Sequence, residues 1–426
     1  VVGEPPGQLA SVVRCSTTKQ SQAKRQHSKD QLVAVSHMSR DECVSVLQET
    51  KNIIPISFLN NISLEISLEF DTSKLYFDAD HLSFEDFQRH WKMGLPMVIT
   101  NLGKRSQIRW TPEYFINGQA GQMCRCVNSN VQGEELLMKV DEFFAGFDDH
   151  SLRKISPDGT PVCLKLKDWP SDADFKDKFP DLFEDFFRSI PFPEYTTREG
   201  TLNLASRMPM DFVRPDLGPK MYNAYGSSDK AYGRGTTNLH LDMTDAVNLM
   251  MYATPLEQRP EHELREREDR PSTNLREDSP AAVWDLYLPA DLPKLREFLR
   301  GIATEQNVRV DDPIHDQCFF VDNRYRERLK QEYGISGIRL YQNPGDAVFI
   351  PAGCAHQVCN YTSCVKTAVD FVSPEGVERK SDEGMTTADL TVHLSNELKC
   401  LYEESFNTDV TIQVGEEGHS KIFHAH

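Results

Sequence analysis

The sequence predicts an α+β protein, an antiparallel barrel or double sheet dressed by helices that precede it in the chain. Three observations carry that expectation. Residues 338–372, IRLYQNPGDAVFIPAGCAHQVCNYTSCVKTAVDFV, read as three short apolar runs punctuated by Pro344-Gly345-Asp346 and Pro351-Ala352-Gly353 turns, the rhythm of antiparallel strands. A second strand-like stretch, TTNLHLDMTDAVNLMMY, stands upstream at 236–252, on the other side of a charged segment. Helical segments cluster mostly before both, which fits a sheet-based domain with helices on its N-terminal side.

Along the chain, residues 1–38 are polar with a mildly basic patch, AKRQHSK, and no apolar period, so a disordered arm is expected. The initial Val suggests that residue 1 is not the natural start. Ser39 and Glu42 in SRDE offer a capping box for a short helix ending near Lys51. In HLSFEDFQRHW, Ser83 can cap a helix whose Phe84, Phe87 and Trp91 share one face, and GLPMVITNL then reads as a buried strand. Thr111-Pro112 marks a helix start, with Thr as cap and Pro in the first turn. VDEFFAGF and FKDKFPDLFEDFFRSIP give two further amphipathic segments, the latter with Phe175, Phe179, Phe183 and Phe186 at helical spacing and destined for the core. Residues 257–278, EQRPEHELREREDRPSTNLRED, lack large apolar side chains and read as a solvent-facing insertion. Order resumes at AVWDLYLP, and PKLREFLRGI and YRERLKQEYGI are helices, the second closed by Gly334.

The 426 residues are 39% hydrophobic and 26% charged, a globular composition. No apolar run is long enough to span a bilayer and no secretory leader is legible, so no membrane attachment is expected. A net charge of −18, from 47 basic and 65 acidic residues, opposes general adhesion to phosphate backbones and suits a Lys/Arg-rich peptide. The ten cysteines contain no C-x-x-C and fit reduced thiols in a cytosolic or nuclear compartment. Cys124 and Cys126 form a lone C-x-C, too few ligands for structural zinc.

The chemistry is concentrated in TTNLHLDMTDAVNLMMY. On a continuous strand His240 and Asp242 would face the same way, either into a site or along an exposed edge. His356 follows a sharp turn far downstream, where antiparallel pairing could set it opposite His240. Two imidazoles and a carboxylate on one face of a metal are the ligand set of non-haem Fe(II) oxygenases. Three unrelated polar residues remain the plain alternative, because H-x-D with a distant His is loosely spaced. Lys366, ten residues after His356, shares its strand parity if no bulge intervenes, and a cation deep in a barrel needs an anion such as a dicarboxylate. A surface lysine at a strand end is its bland reading. Thr237 and Asn248 could offer hydrogen bonds to the same dicarboxylate.

These residues sit in MYNAYGSS, YGRGTTNLHLD, TDAVN, WDLY, DPIHDQCFF, GDAVFIPAGCAHQV and CVKTAVDFVSPE, which together resemble the JmjC domain of the lysine demethylase 3 group, the jumonji histone H3 lysine-9 demethylases. WTPEYF and DWPSDADF fit the same group, so the resemblance covers roughly residues 75–378. It implies a double-stranded β-helix, a jelly-roll or cupin-like barrel, in a catalytic domain over 39–380 whose core is 220–376. It also implies Fe(II), 2-oxoglutarate and O2, with His240, Asp242 and His356 as iron ligands and Thr237 as a hydroxyl on the 2-oxoglutarate carboxylate. Many jumonji enzymes hold the distal carboxylate with a lysine soon after the first His. The corresponding window here reads PLEQ, and Lys366 instead occupies a place similar to that of the lysine in collagen prolyl hydroxylases. Tyr222 and Asn223 fall where relatives contact cosubstrate or substrate.

The activity implied is oxidative removal of methyl groups from mono- and dimethylated lysine 9 of histone H3, giving formaldehyde and succinate. The partner would be the H3 tail or nucleosome and the compartment the nucleus, as for a chromatin regulator of transcription. A JmjC protein hydroxylase and a catalytically inactive chromatin-binding adaptor are the alternatives. The chain departs from the group in having no cysteine-rich zinc finger upstream. Residues 381–426 leave the pattern altogether: LSNELKCLYEESFNTDVTIQVGEEGHSKIFHAH resembles the opening helix and two strands of a BTB/POZ domain, a partial piece expected to add nothing to catalysis.

Overall fold

A computed structural model describes residues 71–377 apart from 130, 132, 157–158, 160–161, 172, 208–215 and 256–279, together with four separate strands. Two of these, β1 (Val12–Arg14) and β2 (Leu32–Ala34), form an antiparallel pair. The remainder of the expected N-terminal arm, the capping box at Ser39 and Glu42, the insertion at 257–278 and the opening helix expected in LSNELKCLYEE lie outside the described residues.

The N-terminal helices form where their start signals stand. Helix α1 (Phe84–Lys92) begins at Ser83, whose hydroxyl accepts from the Asp86 N–H at 3.1 Å, and it buries Phe87 and Trp91 as a stacked pair while Phe84 stays partly exposed. Helix α2 (Pro112–Gln119) has Thr111 at its cap position, but the threonine hydroxyl makes no capping bond. The fixed φ of Pro112 is the start signal there. Helix α3 (Val140–Asp148) buries Phe143, Phe144 and Phe147. The Phe-rich stretch is two helices, α4 (Phe175–Lys178) and α5 (Pro180–Ser189), because Pro180 cannot donate within a helix that runs through it. Phe175, Phe179 and Phe186 are buried as expected, and Phe183 is partly so. A short helix α6 (Pro193–Thr196) follows.

Two sheets make up the barrel. The larger contains β3 (Tyr76–Asp78), β4 (Met97–Thr100), β5 (Met123–Asn128), β6 (Glu135–Lys139), β7 (Leu164–Trp169), β8 (Lys220–Ala224), β10 (Asp245–Ala253), β13 (Ala347–Ile350) and β15 (Cys364–Phe371). Their order is β3-β4-β13-β10-β15-β8-β7-β5-β6, antiparallel except for the β3–β4 pair. The smaller sheet contains β9 (Thr237–His240), β11 (Ala282–Tyr287), β12 (Ile338–Gln342) and β14 (Ala355–Asn360) in the order β12-β11-β14-β9. This is the α+β jelly roll, a double-stranded β-helix with helices before it in the chain.

Alternation along each strand sorts the side chains into layers. Ala246, Val348 and Ile350 of the larger sheet meet Trp284, Leu340 and Val358 of the smaller one in the interior. The opposite face of the larger sheet, with Val247, Leu249 and Val369, packs on the phenylalanines of the N-terminal helices. The outer face of the smaller sheet is covered by α7 (Leu292–Glu305) and α8 (Asn323–Tyr333), and Gly334 ends α8 at φ 73°, a left-handed conformation that costs glycine little.

Two strand expectations need correction. Residues 338–372 hold four strands, because a further turn at 361–363 divides the last run. TTNLHLDMTDAVNLMMY is likewise two strands: β9 ends at His240 in the smaller sheet, and β10 begins at Asp245 in the larger. Asp242 therefore stands in the corner between sheets. Further along the chain, β16 (Val410–Val414) and β17 (Lys421–Ala425) pair antiparallel.

Candidate metal centre

Antiparallel pairing of β14 with β9 sets His356 directly opposite His240, and their ring centroids are 4.2 Å apart. Both imidazoles are oriented in the same way. Nδ1 of His240 donates to the Asn238 carbonyl at 2.9 Å, and Nδ1 of His356 donates to the Cys354 carbonyl at 3.1 Å. A carbonyl can only accept, so each Nδ1 carries a proton and each Nε2 is the ring nitrogen left toward the space between the rings. The corner after β9 brings Asp242 into that space, its carboxylate 3.9 Å from His240 Nε2 and 3.5 Å from His356 Nε2. One ligand atom from each residue lies within 4.8 Å of the others, and this is the one such His/Cys/Asp/Glu group among the described residues. Burial, with the neighbouring His240, pushes the His356 pKa down to about 4, so the ring is a neutral ligand at physiological pH. Two imidazoles and a carboxylate suit Fe(II) with positions left open.

Thr237 lies three residues before His240, which on a regular strand would turn it away. The pairing of β9 with β14 shifts between His356–His240 and Val358–Thr237, so two residues of β14 span three of β9. That bulge returns Thr237 to the face of His240.

Lys366 differs from expectation in its route but not in its destination. It shares no strand with His356: the turn at 361–363 intervenes, and β15 belongs to the larger sheet, so the parity comparison does not apply. The lysine nevertheless points into the interior, 3% exposed, with no hydrogen-bond partner for Nζ. Its ammonium lies over the Trp284 ring, and the same indole stacks 6.0 Å from the His356 ring. Burial pushes the Lys366 pKa down to about 8. The surface-lysine reading is excluded by this placement.

Asn248 is buried on the same face of the larger sheet, two residues from Met250, which pairs with Lys366, and its Oδ1 has no partner. Tyr222 is directly opposite Lys366 on β8 and shares that face. Its phenol pKa is pushed up by burial and by nearby Asp168 and Asp370. Asn223 is the exception, since as the next residue on β8 it points to the other face, away from Lys366.

A buried cation and a buried amide oxygen without partners are costly unless a ligand satisfies them. Together with the donor set of His240, Asp242 and His356, they fit a metal bound with a carboxylate-bearing cosubstrate. Sequence reasoning missed Trp284, whose indole N–H donates to Gln342 Oε1 at 2.8 Å while Gln342 Nε2 donates to the Asn248 carbonyl. The alternation in AVWDLY, which puts Trp284 and Leu286 on one face, was the available signal. It also missed Asp370, an interior residue of β15 whose pKa is pushed up to about 8 by burial and by Asp242.

Residues 281–371 match the family model described as JmjC domain, hydroxylase. Over 309 residues the chain is 46% identical to lysine-specific demethylase 3A of Gallus gallus, covering 68% of this chain and 23% of that protein. It is 44% identical over 309 residues to lysine-specific demethylase 3A of Homo sapiens, again with 68% and 23% covered. For lysine-specific demethylase 3 of Drosophila melanogaster the identity is 37% over 347 residues, covering 77% of this chain and 39% of the relative. The chain thus spans well under half the length of these curated relatives.

Proposed function

We propose, taking as premise the JmjC domain that this chain shares with lysine-specific demethylase 3 proteins, that it is an Fe(II)- and 2-oxoglutarate-dependent dioxygenase acting on methylated lysine of histone H3, with mono- and dimethylated lysine 9 as its target. The observation that carries this reading is the buried, unpartnered Lys366 ammonium facing the same interior as His240, Asp242 and His356.

In this reading His240, Asp242 and His356 hold the iron. Lys366 pairs with the distal carboxylate of 2-oxoglutarate, and Thr237 and Asn248 offer hydrogen bonds to the same molecule. Tyr222 lines the cleft beside Lys366. Iron held there would supply, with O2 and 2-oxoglutarate, the oxidation of an N-methyl carbon, with formaldehyde, succinate and CO2 as the products. The protein fixes geometry and keeps water from the interior through Trp284, Val348 and Leu340.

The acidic chain suits the basic H3 tail as partner, and a histone substrate supports the nucleus as its compartment. No helix among the described residues is long and apolar enough to cross a membrane. Mass spectrometry of methylated H3 peptides incubated with the protein, Fe(II), ascorbate and 2-oxoglutarate tests the reading. Loss of a methylene mass with formaldehyde supports it. The hydroxylase description of the matched family model motivates the second reading, and a stable gain of one oxygen would establish that one instead. Absence of 2-oxoglutarate turnover would leave the adaptor.

Residues 381–426 are proposed as a partial BTB/POZ-like segment, supported by its motif resemblance and the antiparallel pairing of β16 with β17. Deleting everything after Lys380 should leave demethylation rates within about twofold, since about 46 residues with two short β segments bury too little apolar surface to form a core of their own. A collapse of the rate would make the segment part of the enzyme.

A further inference from the structure

The proposed iron ligands come from two separate stretches, the end of β9 with the corner after it and the start of β14, and something must hold those stretches at a fixed spacing. One direct backbone link between them is long: the Gly353 N–H donates to the Asp242 carbonyl at 3.4 Å. A much shorter one runs through Asp245, the first residue of β10, whose side chain is 1% exposed. Asp245 Oδ1 accepts from the Ala352 N–H at 2.8 Å. Two residues further on, Cys354 presents the carbonyl that receives His356 Nδ1–H. Asp245 Oδ2 faces the other way, accepting from the Ser373 N–H at 2.9 Å and from the Ser373 hydroxyl. Ser373 Oγ in turn accepts from the Trp91 indole of α1 at 3.2 Å.

We propose that Asp245 is a positioning residue for the metal centre. Its carboxylate fixes the Pro351–Cys354 turn against the Asp242 corner, and so sets the distance between His356 and the other two ligands and the affinity for a divalent metal. The inference rests on the metal reading above. A carboxylate fits because its oxygens face donors on both sides: two backbone N–H groups and a hydroxyl, and ionised acceptors make the strong bonds of this kind. An amide could satisfy one side only, since its NH2 cannot accept. Groups that orient metal ligands from behind alter metal affinity more than their own burial predicts.

The test is titration of the full chain with Mn(II), a stand-in that needs no oxygen or cosubstrate, followed by electron paramagnetic resonance, alongside thermal melts of the metal-free protein. The variants are Asp245→Ala, Asp245→Asn, Ser373→Ala and His240→Ala. Mn(II) affinity should fall about 10- to 100-fold in Asp245→Ala and by less in Asp245→Asn, while Ser373→Ala, which loses the far anchor but keeps the Ala352 bond, stays within about twofold. Between the Asp245 and Ser373 variants, the manganese line shape should change in the Asp245 ones alone. If Asp245→Ala does not fold, Asp245→Asn carries the comparison. Wild-type affinity in both Asp245 variants overturns the positioning role and leaves the metal reading standing, as does an equal loss in Ser373→Ala. Equal Mn(II) binding by wild type and His240→Ala, or none by wild type, overturns the metal reading and this inference with it.

Discussion

The Lys366 ammonium lies 5.1 Å from the centroid of the Trp284 indole, reached across the interior from the opposite sheet. The ring face gives the buried cation partial compensation where no hydrogen bond does, a contribution of about 0.5–2 kcal/mol. The bond from the indole N–H to Gln342 keeps the ring from turning. The lysine is thus held aimed at a space that an anion can enter.

Replacing Lys366 with Ala should raise the 2-oxoglutarate concentration required for half-maximal turnover by about 10- to 150-fold, the worth of a charge-assisted bond of about 1.5–3 kcal/mol. Metal affinity should change little. An unaltered 2-oxoglutarate titration would move the carboxylate's partner elsewhere.

The same lysine should leave a mark on stability. Its folded pKa of about 8 lies below the unfolded value of about 10.4, so the folded state disfavours the charged amine. That cost, about 3 kcal/mol, is fully present below pH 8 and fades as pH rises through the unfolded pKa of about 10.4, above which neither state is protonated. In urea melts without cosubstrate, Lys366→Met should therefore exceed wild type at pH 7, with the gap narrowing by pH 10. Packing differences do not titrate, so parallel pH profiles for the two proteins would contradict the buried ammonium.

His240→Ala and Asp242→Ala should each abolish formaldehyde production and iron retention with little change in melting temperature, because the apolar interior forms independently of the ligands. Asp242, 39% exposed on its side chain, contributes little packing. Wild-type turnover in Asp242→Ala would dissolve the triad.

Asp285 sits on the far face of β11 from Trp284, accepting from Arg339 Nε at 2.7 Å, Arg339 Nη2 at 2.9 Å and Gln357 Nε2 at 3.0 Å. Asp285→Ala leaves a guanidinium without its buried partner and should lower stability by about 3–5 kcal/mol, seen as a fall in the urea midpoint. A shift comparable to that of a surface substitution would mean that Arg339 is compensated by Asp229, which it also contacts at 3.0 Å.

The parts of this site legible in the sequence are those that local chemistry dictates. H-x-D, the Pro351-Ala352-Gly353 turn before His356, and the capped N-terminal helices each announce themselves within a few residues. What was illegible depends on where the chain changes sheet. The break between His240 and Asp245 contains no proline or glycine, so the stretch passes for one strand although it turns a corner. The bulge that returns Thr237 to the site leaves no compositional trace either. Lys366 was reached through a parity comparison that the turn at 361–363 invalidates. It faces inward because Met250 and Tyr222 pair with it, and that pairing is a long-range property. Asp245 reads as an ordinary strand-edge acid until the turn carrying Ala352 is placed beside it.

The corner at 241–244 leaves both histidines on one wall of the barrel and Lys366 on the other, so the gap between the walls works as a ruler. A diacid that chelates a metal at the histidines can reach the ammonium only if its carbon chain matches that gap. The side chains that prop the walls apart, Trp284 and Val348 among them, become selectors of chain length without touching either end of the molecule. A four-carbon 2-oxo diacid should compete poorly with the five-carbon one, by about 10-fold or more for the lost ion pair. Trimming Trp284 to Leu should blunt that discrimination, which competition titrations of the two diacids would measure.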